Sequence, residues 1–261
     1  MNDIHLAADT PVPSSHPHSE SPQKLAALQA VSDVDGWLLP EDVFKLYDLA
    51  YAAAGPILEI GTYHGRSTIV MALALNDAGN PVPLVSLDVD PEALHAAGEN
   101  ARRKGVAGRI TLVRGTAAAF FRATTGFVPA VVFVDGDHSA AGAARDLRVL
   151  EPHVADGGLL FLHDYGDPRD PDPGEAEFGV SEAVARTWVA RQCDQLGVFG
   201  VGGLFRRRLG GPGPVDAARR PPVLDLVWRD DMAMQYRQRV RWPLGRRFRR
   251  AVRRRRPENA G

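Results

Sequence analysis

Two short polar segments contain side chains that could carry out chemistry. Residues 135–139 (DGDHS) follow the apolar run VVFV (131–134), and residues 163–165 (HDY) follow the apolar run LLFL (159–162). Each segment combines carboxylates with an imidazole. Carboxylate oxygens suit Mg²⁺ or Mn²⁺, and the second of these ions also tolerates imidazole nitrogen. If the two segments converge, they predict a divalent-metal site.

Structural roles compete for some of these residues. Asp137 and Ser139 could cap the next helix, and His138 could be an oriented structural imidazole. Asp135 and Asp164 differ, because a buried carboxylate without a cation or hydrogen-bond donors is costly. These two aspartates are therefore the strongest candidates for function.

A glycine-containing segment, GTYHGRS (61–67), follows the apolar run ILEI (57–60). Gly61 and Gly65 allow a tight turn and close approach to a ligand. The helix that starts near Ser67 presents free N–H groups to an anionic group. The spacing is E-x-G-x-x-x-G rather than G-x-G-x-x-G, so a carboxylate fits this loop better than a dinucleotide pyrophosphate. A plain strand-to-helix turn is the alternative.

The ends of the second and third predicted strands suggest a nucleoside site. Asp88 can accept both ribose hydroxyl protons from the end of the second strand. Asp90 precedes a proline and fits a helix N-cap better. Gly115 and Thr116 follow the third strand and could flank an adenine.

The elements that position these residues alternate between strand and helix. Strands are predicted at 57–60, 84–87, 109–115, 131–134, 159–162 and near 199–207. Helices are predicted after Pro40 and over 67–75, 91–105, 139–151 and 180–193. This order predicts an α/β fold with a Rossmann-like, doubly wound, mostly parallel sheet. Ligands of such sheets bind outside the carboxyl ends of the strands, where the polar segments lie.

Composition divides the chain into three regions. Residues 1–24 are rich in Pro, Ser and His and are predicted to be disordered. Residues 25–209 form the folded domain, and residues 210–261 form a linker and an Arg-rich appendage. Residues 236–261 hold eleven arginines and one glutamate, although the whole chain carries a net charge of −1. Such a tail could contact an anionic membrane or a nucleic acid, but a solvated or self-docking tail is the favoured interpretation.

The remaining composition excludes several classes of protein. Apolar residues make up 44% of the chain and charged residues 24%, which argues against collagen, coiled coil and wholesale disorder. A single cysteine, Cys193, excludes an internal disulfide and a cysteine-cluster metal site. No apolar run could span a bilayer, and the N-terminus lacks a secretory pattern. A cytoplasmic protein is expected.

Taken together, these segments resemble class I S-adenosylmethionine (SAM) dependent methyltransferases. Within this family, the sequence is most similar to the branch that has D-G-D-H and H-D-Y motifs, which is related to small-molecule and sugar O-methyltransferases. The matching segments are residues 36–50, 57–68, 84–94, 131–139 and 157–165, within a resemblance that covers about 36–207. The pair of motifs is much more specific than the glycine loop. One departure is Ala140, where the family often has Tyr.

The resemblance implies a SAM site along the strand ends. Gly61 and Gly65 would border the methionine end of SAM, and Asp88 would hold the ribose. Glu59 would support the loop or contact the amino group. The candidate SAM-binding residues are Glu59, Gly61, Thr62, Tyr63, Gly65, Ser67, Asp88, Gly115, Thr116 and Asp135.

The resemblance also implies the metal and the acceptor. Asp135 and Asp164 would bind Mg²⁺ or Mn²⁺, with His163 as a third candidate ligand; related catechol-type enzymes have Asn where Tyr165 stands. His138 is the candidate general base, because imidazole titrates near neutral pH, and Asp137 is the second candidate. The acceptor would be a hydroxyl of a small metabolite, sugar or natural product, and a homodimer is expected.

Other functions remain as alternatives. The methyltransferase could work without a metal, with His138 alone as the base. A nicotinamide dehydrogenase is disfavoured because G-x-G-x-x-G is missing. A degenerate-site binding protein would instead act through the Arg-rich tail. Residues 166–179 are either a lid over the acceptor or a surface connection.

Overall fold

The fold is built on one seven-stranded sheet in the computed structural model, which describes residues 21–170 and 177–209. The strands are β1 (Ile57–Ile60), β2 (Leu84–Asp88), β3 (Ile110–Arg114), β4 (Val131–Val134), β5 (Leu159–Leu162), β6 (Cys193–Phe199) and β7 (Gly202–Arg207). Their order in the sheet is β3-β2-β1-β4-β5-β7-β6. Strands β1 to β5 pair in parallel, whereas the β6–β7 hairpin pairs antiparallel with β5. The predicted doubly wound, mostly parallel sheet is confirmed.

Helices cover both faces of this sheet. The central strands carry apolar side chains on both faces, and these side chains have to be shielded from water. The helices are α1 (Pro22–Ala30), α2 (Pro40–Tyr51), α3 (Arg66–Asp77), α4 (Pro91–Arg103), α5 (Ala117–Ala123), α6 (Ala140–Leu150), α7 (Val180–Arg186) and α8 (Trp188–Gln192). Ile57, Phe133 and Phe161 join the core under α1, α2 and α3. Their neighbours Leu58, Val132 and Leu160 join the core under α5 to α8. This alternation is the period of two that a β-strand imposes.

The strand order reverses direction beside β1. From β1 the chain moves outward through β2 to β3, and it then returns to the other side of β1 with β4 and β5. A crevice forms outside the carboxyl ends of the strands at such a switch point. The segments that follow β1, β4 and β5 therefore meet at one edge of the sheet.

The chain enters the fold earlier than the composition predicted. Helix α1 starts at Pro22, and Ser21 caps it by accepting a hydrogen bond from the backbone N–H of Lys24. The Lys24 side chain is buried and forms an ion pair with Asp48 at 2.7 Å. The last residues of the predicted disordered segment 1–24 are thus helical, because a capped first turn outweighs polar composition. Residues 1–20 lie outside the described residues.

The predicted helix over 180–193 is two short helices, α7 and α8, and its last residue belongs to a strand. Thr187 has extended backbone angles (φ −115°, ψ −176°) and separates α7 from α8. Cys193 then starts β6, which forms a hairpin with β7 rather than leaving a single last strand. A short apolar run does not distinguish helix from strand by periodicity, and pairing with β7 decides the outcome here.

Two further differences concern short elements. Helix α5 was not predicted, because its seven residues are too few to show a helical period. A 3-10 turn at Ala107–Arg109 precedes β3, which therefore starts at Ile110 rather than at residue 109.

The linker and Arg-rich appendage at 210–261 lie outside the described residues. In the ranges that are described, every helix is too short or too polar to cross a membrane.

Candidate active site

The loop between β1 and α3 requires glycine at both predicted positions. Gly61 has φ +95°, and a Cβ atom there would lie 2.2 Å from the carbonyl oxygen of Asp135. Gly65 has φ +83°, and a Cβ atom there would lie 3.0 Å from the Cβ of Ala97 on α4. The two glycines therefore let this loop pack directly against the segment after β4 and against α4. The loop and Asp135 meet at the edge where the nucleoside site was predicted.

Glu59 lies beneath this loop as a fully buried carboxylate. It accepts hydrogen bonds from the hydroxyls of Ser67, Thr68 and Ser86, so both of its oxygens are engaged by the protein. Burial raises the pKa of Glu59 to about 7, although these hydrogen bonds lower it. Of the two predicted roles for Glu59, this geometry favours support of the loop, and it assigns the Ser67 hydroxyl to the same task.

Asp88 lies at the carboxyl end of β2, beside the loop. Its two carboxylate oxygens accept backbone N–H groups from Tyr63 at 2.8 Å and from Asp90 at 2.9 Å. Burial raises the pKa of Asp88, and these backbone hydrogen bonds oppose that rise. The Thr62 hydroxyl lies 2.6 Å from the hydroxyl of Ser86, and Tyr63 adopts φ +46°, which is uncommon for a residue other than glycine. The loop and β2 thus fix the orientation of the Asp88 carboxylate.

Gly115 and Thr116 follow β3 next to Asp88. The backbone N–H of Gly115 donates to the carbonyl oxygen of Asp88 at 2.8 Å. The Thr116 hydroxyl accepts the backbone N–H of Ala119 at 3.2 Å and caps α5. The Thr116 side chain therefore has a structural role as a helix cap. The hydrogen bond of Gly115 keeps this segment beside Asp88, the residue predicted to bind the ribose.

The segments after β4 and β5 bring four side chains together, which we call the His–Asp cluster: Asp135, His138, His163 and Asp164. Nδ1 of His163 lies 3.0 Å from Oδ1 of Asp135 and 3.2 Å from Oδ1 of Asp164. Nδ1 of His138 lies 2.8 Å from Oδ2 of Asp164. Asp164 has φ +59°, a conformation that costs free energy in a residue other than glycine and that is frequent at functional sites.

Charge complementarity sets the pKa values in this cluster. Burial alone would lower the pKa of His138, but its hydrogen bond to Asp164 and the charge of Asp135 raise it. Burial acts on His163 in the same way, and the neighbouring carboxylates raise its pKa well above the usual value. Burial would raise the pKa of Asp164, yet the two imidazoles hold it well below its usual range. His138, His163 and Asp164 therefore stabilise one another's charged forms, and the raised pKa makes His138 a stronger base whenever its imidazole is neutral.

The donor set of the cluster fits a divalent metal. Donor atoms from Asp135, His138 and His163 all lie within 4.8 Å of one another. Both ring nitrogens of His163 and Oδ1 of Asp164 are buried and make no hydrogen bond of acceptable geometry to the described residues. Such atoms can serve as ligands. Because two of the donors are imidazole nitrogens, the set suits Mn²⁺ better than Mg²⁺.

The Asp137 side chain contacts Ser139 and Arg145 instead of the cluster. One of its oxygens accepts the backbone N–H of Ser139 at 3.1 Å, and the other pairs with Arg145 at 3.1 Å. Its side chain remains about half exposed, and Ser139 caps α6 through the N–H of Gly142. The interpretation of Asp137 and Ser139 as residues at the start of a helix fits this geometry, whereas only His138 reaches the cluster.

Aromatic side chains that the sequence did not single out surround the cluster. Trp37 is 48% exposed, and its ring meets the His163 ring edge-on at 5.8 Å. The Phe178 ring lies 6.3 Å from that of His138, and the Arg169 guanidinium lies 3.8 Å from the centre of the Phe178 ring. These side chains form an aromatic wall next to the histidines, where an acceptor could lie.

Part of the predicted lid contributes to this wall. Residues 171–176 lie outside the described residues, but the backbone N–H of Gly179 donates to the carbonyl oxygen of His138 at 2.9 Å. A Cβ atom on Gly179 would lie 2.7 Å from that of Ala140. Residues 177–179 therefore fill the space beside Ala140, and a tyrosine at that position would displace them.

Asp42 was also missed, although it is fully buried and its Oδ2 lies 3.8 Å from Nε2 of His163. It occupies the first turn of α2, directly after Pro40-Glu41. An acid in that position looks like an ordinary partner of the helix dipole. The sequence signal was therefore present but had a simpler explanation.

Comparison with known proteins identifies the type of domain and fold. Residues 58–165 match a family model described as a methyltransferase domain. Among solved structures, the SAH-bound methyltransferase PaMTH1 of Podospora anserina aligns with a TM-score of 0.57 and 17% identity over 77% of this chain and 92% of its own. The SAH-bound O-methyltransferase of Bacillus cereus aligns with 0.55 and 17% over 72% and 91%. The SAM-bound O-methyltransferase TomG of Streptomyces achromogenes aligns with 0.52 and 22% over the same shares. At these identities the structural matches show a shared fold.

Proposed function

We propose that this chain, whose residues 58–165 match a methyltransferase domain, is a SAM-dependent, divalent-metal-assisted O-methyltransferase. Its acceptor would be a hydroxyl of a small metabolite, sugar or natural product. The observation that carries the proposal is the hydrogen bond between His138 and Asp164 at the edge of the sheet where the glycine loop ends. This contact supports His138 as an oriented base within the His–Asp cluster, beside the candidate donor site.

The chemistry follows from the charge of the donor. The SAM sulfonium already makes its methyl group electrophilic, so the protein has to align the acceptor and provide a nucleophile. A hydroxyl is a poor nucleophile until its proton is removed. Because Nδ1 of His138 is directed at Asp164, Nε2 is the nitrogen that can take the acceptor proton in the neutral imidazole. Asp164 then stabilises the imidazolium that results.

The metal would be held by Asp135, Asp164 and His163, with His138 close enough to contribute a fourth donor. When bound, a divalent ion would lower the pKa of the acceptor hydroxyl and help to orient it. The support for this part of the proposal is the convergence of donors, together with buried atoms of His163 and Asp164 that make no hydrogen bond to the described residues.

A metal-independent reaction is the second candidate. The observation in its favour is that Asp164 already pairs with both histidines, so the described side chains of the cluster have partners without an ion. His138 would then act alone as the base. The acceptor would be bound by the same aromatic wall in either case.

Removal of metal distinguishes the two candidates. We expect EDTA-treated protein to lose methyl transfer by about 100-fold or more, because metal activation of an oxygen contributes several kcal/mol. Added Mn²⁺ should restore turnover, and SAM affinity measured by calorimetry should stay unchanged throughout. Asp135→Asn should reduce the response to Mn²⁺. Full turnover in EDTA would instead support His138 as the sole base.

The aromatic wall predicts where the acceptor binds. We expect Trp37→Ala to raise the KM for the acceptor by about 10-fold, since an aromatic contact adds roughly 0.5–1.5 kcal/mol beyond area burial. The KM for SAM should not change. Tyr51→Ala is a matched control, because Tyr51 is also about half exposed but lies at the end of α2. Equal effects of the two substitutions on acceptor KM would place the acceptor elsewhere.

Two further parts of the proposal depend on the resemblance and the sequence. The homodimer stays a prediction that sedimentation can test. Contacts of the Arg-rich tail with membranes or nucleic acids stay predictions as well, because residues 236–261 lie outside the described residues.

A further inference from the structure

We infer that Asp42 is a positioning residue for His163. It holds the His163 ring so that Nδ1 of that ring faces Asp135 and Asp164. The inference rests on the proposed function, in which these carboxylates and His163 bind the metal. Among the residues of the cluster, the contact that the structure gives to Asp42 is the one with His163. It would act through the imidazole alone.

The Asp42 carboxylate is fixed by backbone groups from two distant parts of the chain. Oδ1 accepts the N–H groups of Val201 and Gly202, each at 3.1 Å, from the end of the β6–β7 turn. Oδ2 accepts the N–H of Leu39 at 2.9 Å, at the start of α2. Three donors leave this buried carboxylate little freedom to rotate. Oδ2 consequently stays directed toward His163.

The turn is shaped to leave room for this carboxylate. Gly200 has φ +60°, and a Cβ atom there would lie 2.5 Å from Oδ1 of Asp42. Both the backbone conformation and the space thus require glycine. A side chain at position 200 would push directly on the Asp42 carboxylate.

The surroundings of His163 explain why such a support has an effect. The side chain is 3% exposed, and its ring meets those of Trp37 and Phe133 edge-on at 5.8 and 6.1 Å. Nε2 lies 3.8 Å from Oδ2 of Asp42, which is an ion-pair distance just beyond hydrogen-bond length. With a fixed carboxylate on the Nε2 side and the two cluster carboxylates on the Nδ1 side, the ring is kept in the orientation that turns Nδ1 toward Asp135 and Asp164. Partners of this kind orient metal-binding histidines and increase their basicity.

Asp42 also holds α2 to the β6–β7 turn, so the test has to separate positioning from stability. Asp42→Asn removes the charge but keeps an oxygen for the backbone donors. The matched control is Asp48→Asn on the same helix, where a carboxylate that is 12% exposed pairs with Lys24 at 2.7 Å rather than with a histidine of the cluster. Both substitutions should lower the melting temperature.

Mn²⁺ binding is the decisive measurement, made by electron paramagnetic resonance on the SAM-free, full-length protein. We expect Asp42→Asn to weaken Mn²⁺ binding by about 10- to 100-fold, the usual effect of removing such a partner. Asp48→Asn should bind Mn²⁺ like the wild type. Gly200→Ala, which displaces the same carboxylate, should weaken binding in the same direction and serves as the second variant if Asp42→Asn does not fold. Wild-type affinity in folded Asp42→Asn overturns the inference.

A different result would identify failure of the proposed function instead. If the wild-type protein binds no Mn²⁺, the metal-assisted mechanism is wrong. The positioning role of Asp42 is then tested by crystal structures of the wild type and of Asp42→Asn. We expect the His163 ring to rotate away from Asp135 only in the variant. A ring that keeps its position rules out positioning by Asp42.

Discussion

Replacing His138 with alanine is expected to lower kcat for methyl transfer by about 100- to 10,000-fold, the usual contribution of a general base. The reason is the position of the imidazole, whose Nδ1 lies 2.8 Å from Asp164 and whose side chain is 26% exposed. The affinity for SAM should be unchanged, because the groups around Asp88 are not altered. Single-turnover kinetics with saturating SAM measures the chemical step directly.

The neighbouring carboxylate provides the comparison. Asp137→Ala should retain most of the turnover, because that carboxylate pairs with Arg145 and the backbone of Ser139. A drop in melting temperature is its expected cost. If His138→Ala keeps full activity while Asp137→Ala loses it, the two roles are exchanged and our assignment of the base is wrong.

Replacing Asp88 with alanine should weaken SAM binding by at least about 100-fold. Each ribose hydroxyl that donates to this carboxylate contributes roughly 1.5–3 kcal/mol, as is typical of hydrogen bonds to a charged group. The substitution also leaves the backbone N–H groups of Tyr63 and Asp90 without their acceptor, so the loop loses a support. Isothermal titration calorimetry with SAM and SAH measures the loss.

Asp90→Ala is the control for this substitution. The Asp90 side chain accepts the N–H of Glu92 at 2.8 Å and caps α4, so its removal should cost about 1 kcal/mol of stability. SAM affinity should remain near the wild-type value. A similar affinity for SAM in the wild type and in Asp88→Ala would remove the ribose assignment.

The sequence was informative where buried parallel strands end. The runs VVFV and LLFL could be assigned as strands because a strand covered on both faces is continuously apolar. ILEI follows the same pattern except at Glu59, whose carboxylate accepts three hydroxyl hydrogen bonds. Polar residues directly after such runs must lie at one edge of the sheet. Asp88, Asp135, His163 and Asp164 could therefore be grouped before any coordinates were known.

The parts that could not be predicted depend on contacts between distant segments. Asp42 reaches His163 from a helix that precedes all the strands, and no local pattern reports that contact. Trp37 reads as an ordinary aromatic residue before a helix, although its ring contacts His163. The start of β6 at Cys193 is likewise decided by pairing with β7 rather than by its own residues.

The contact between Asp42 and the β6–β7 turn has a consequence for protein synthesis. A nascent polypeptide that has left the ribosome only as far as Tyr165, just after β5, already contains the two histidines and both aspartates of the cluster. It still lacks the N–H groups of Val201 and Gly202 that fix Asp42. The support for His163 is therefore complete only when the β6–β7 hairpin has been synthesised. A product that terminates before this hairpin would contain the four side chains of the cluster but would lack the contacts that fix Asp42.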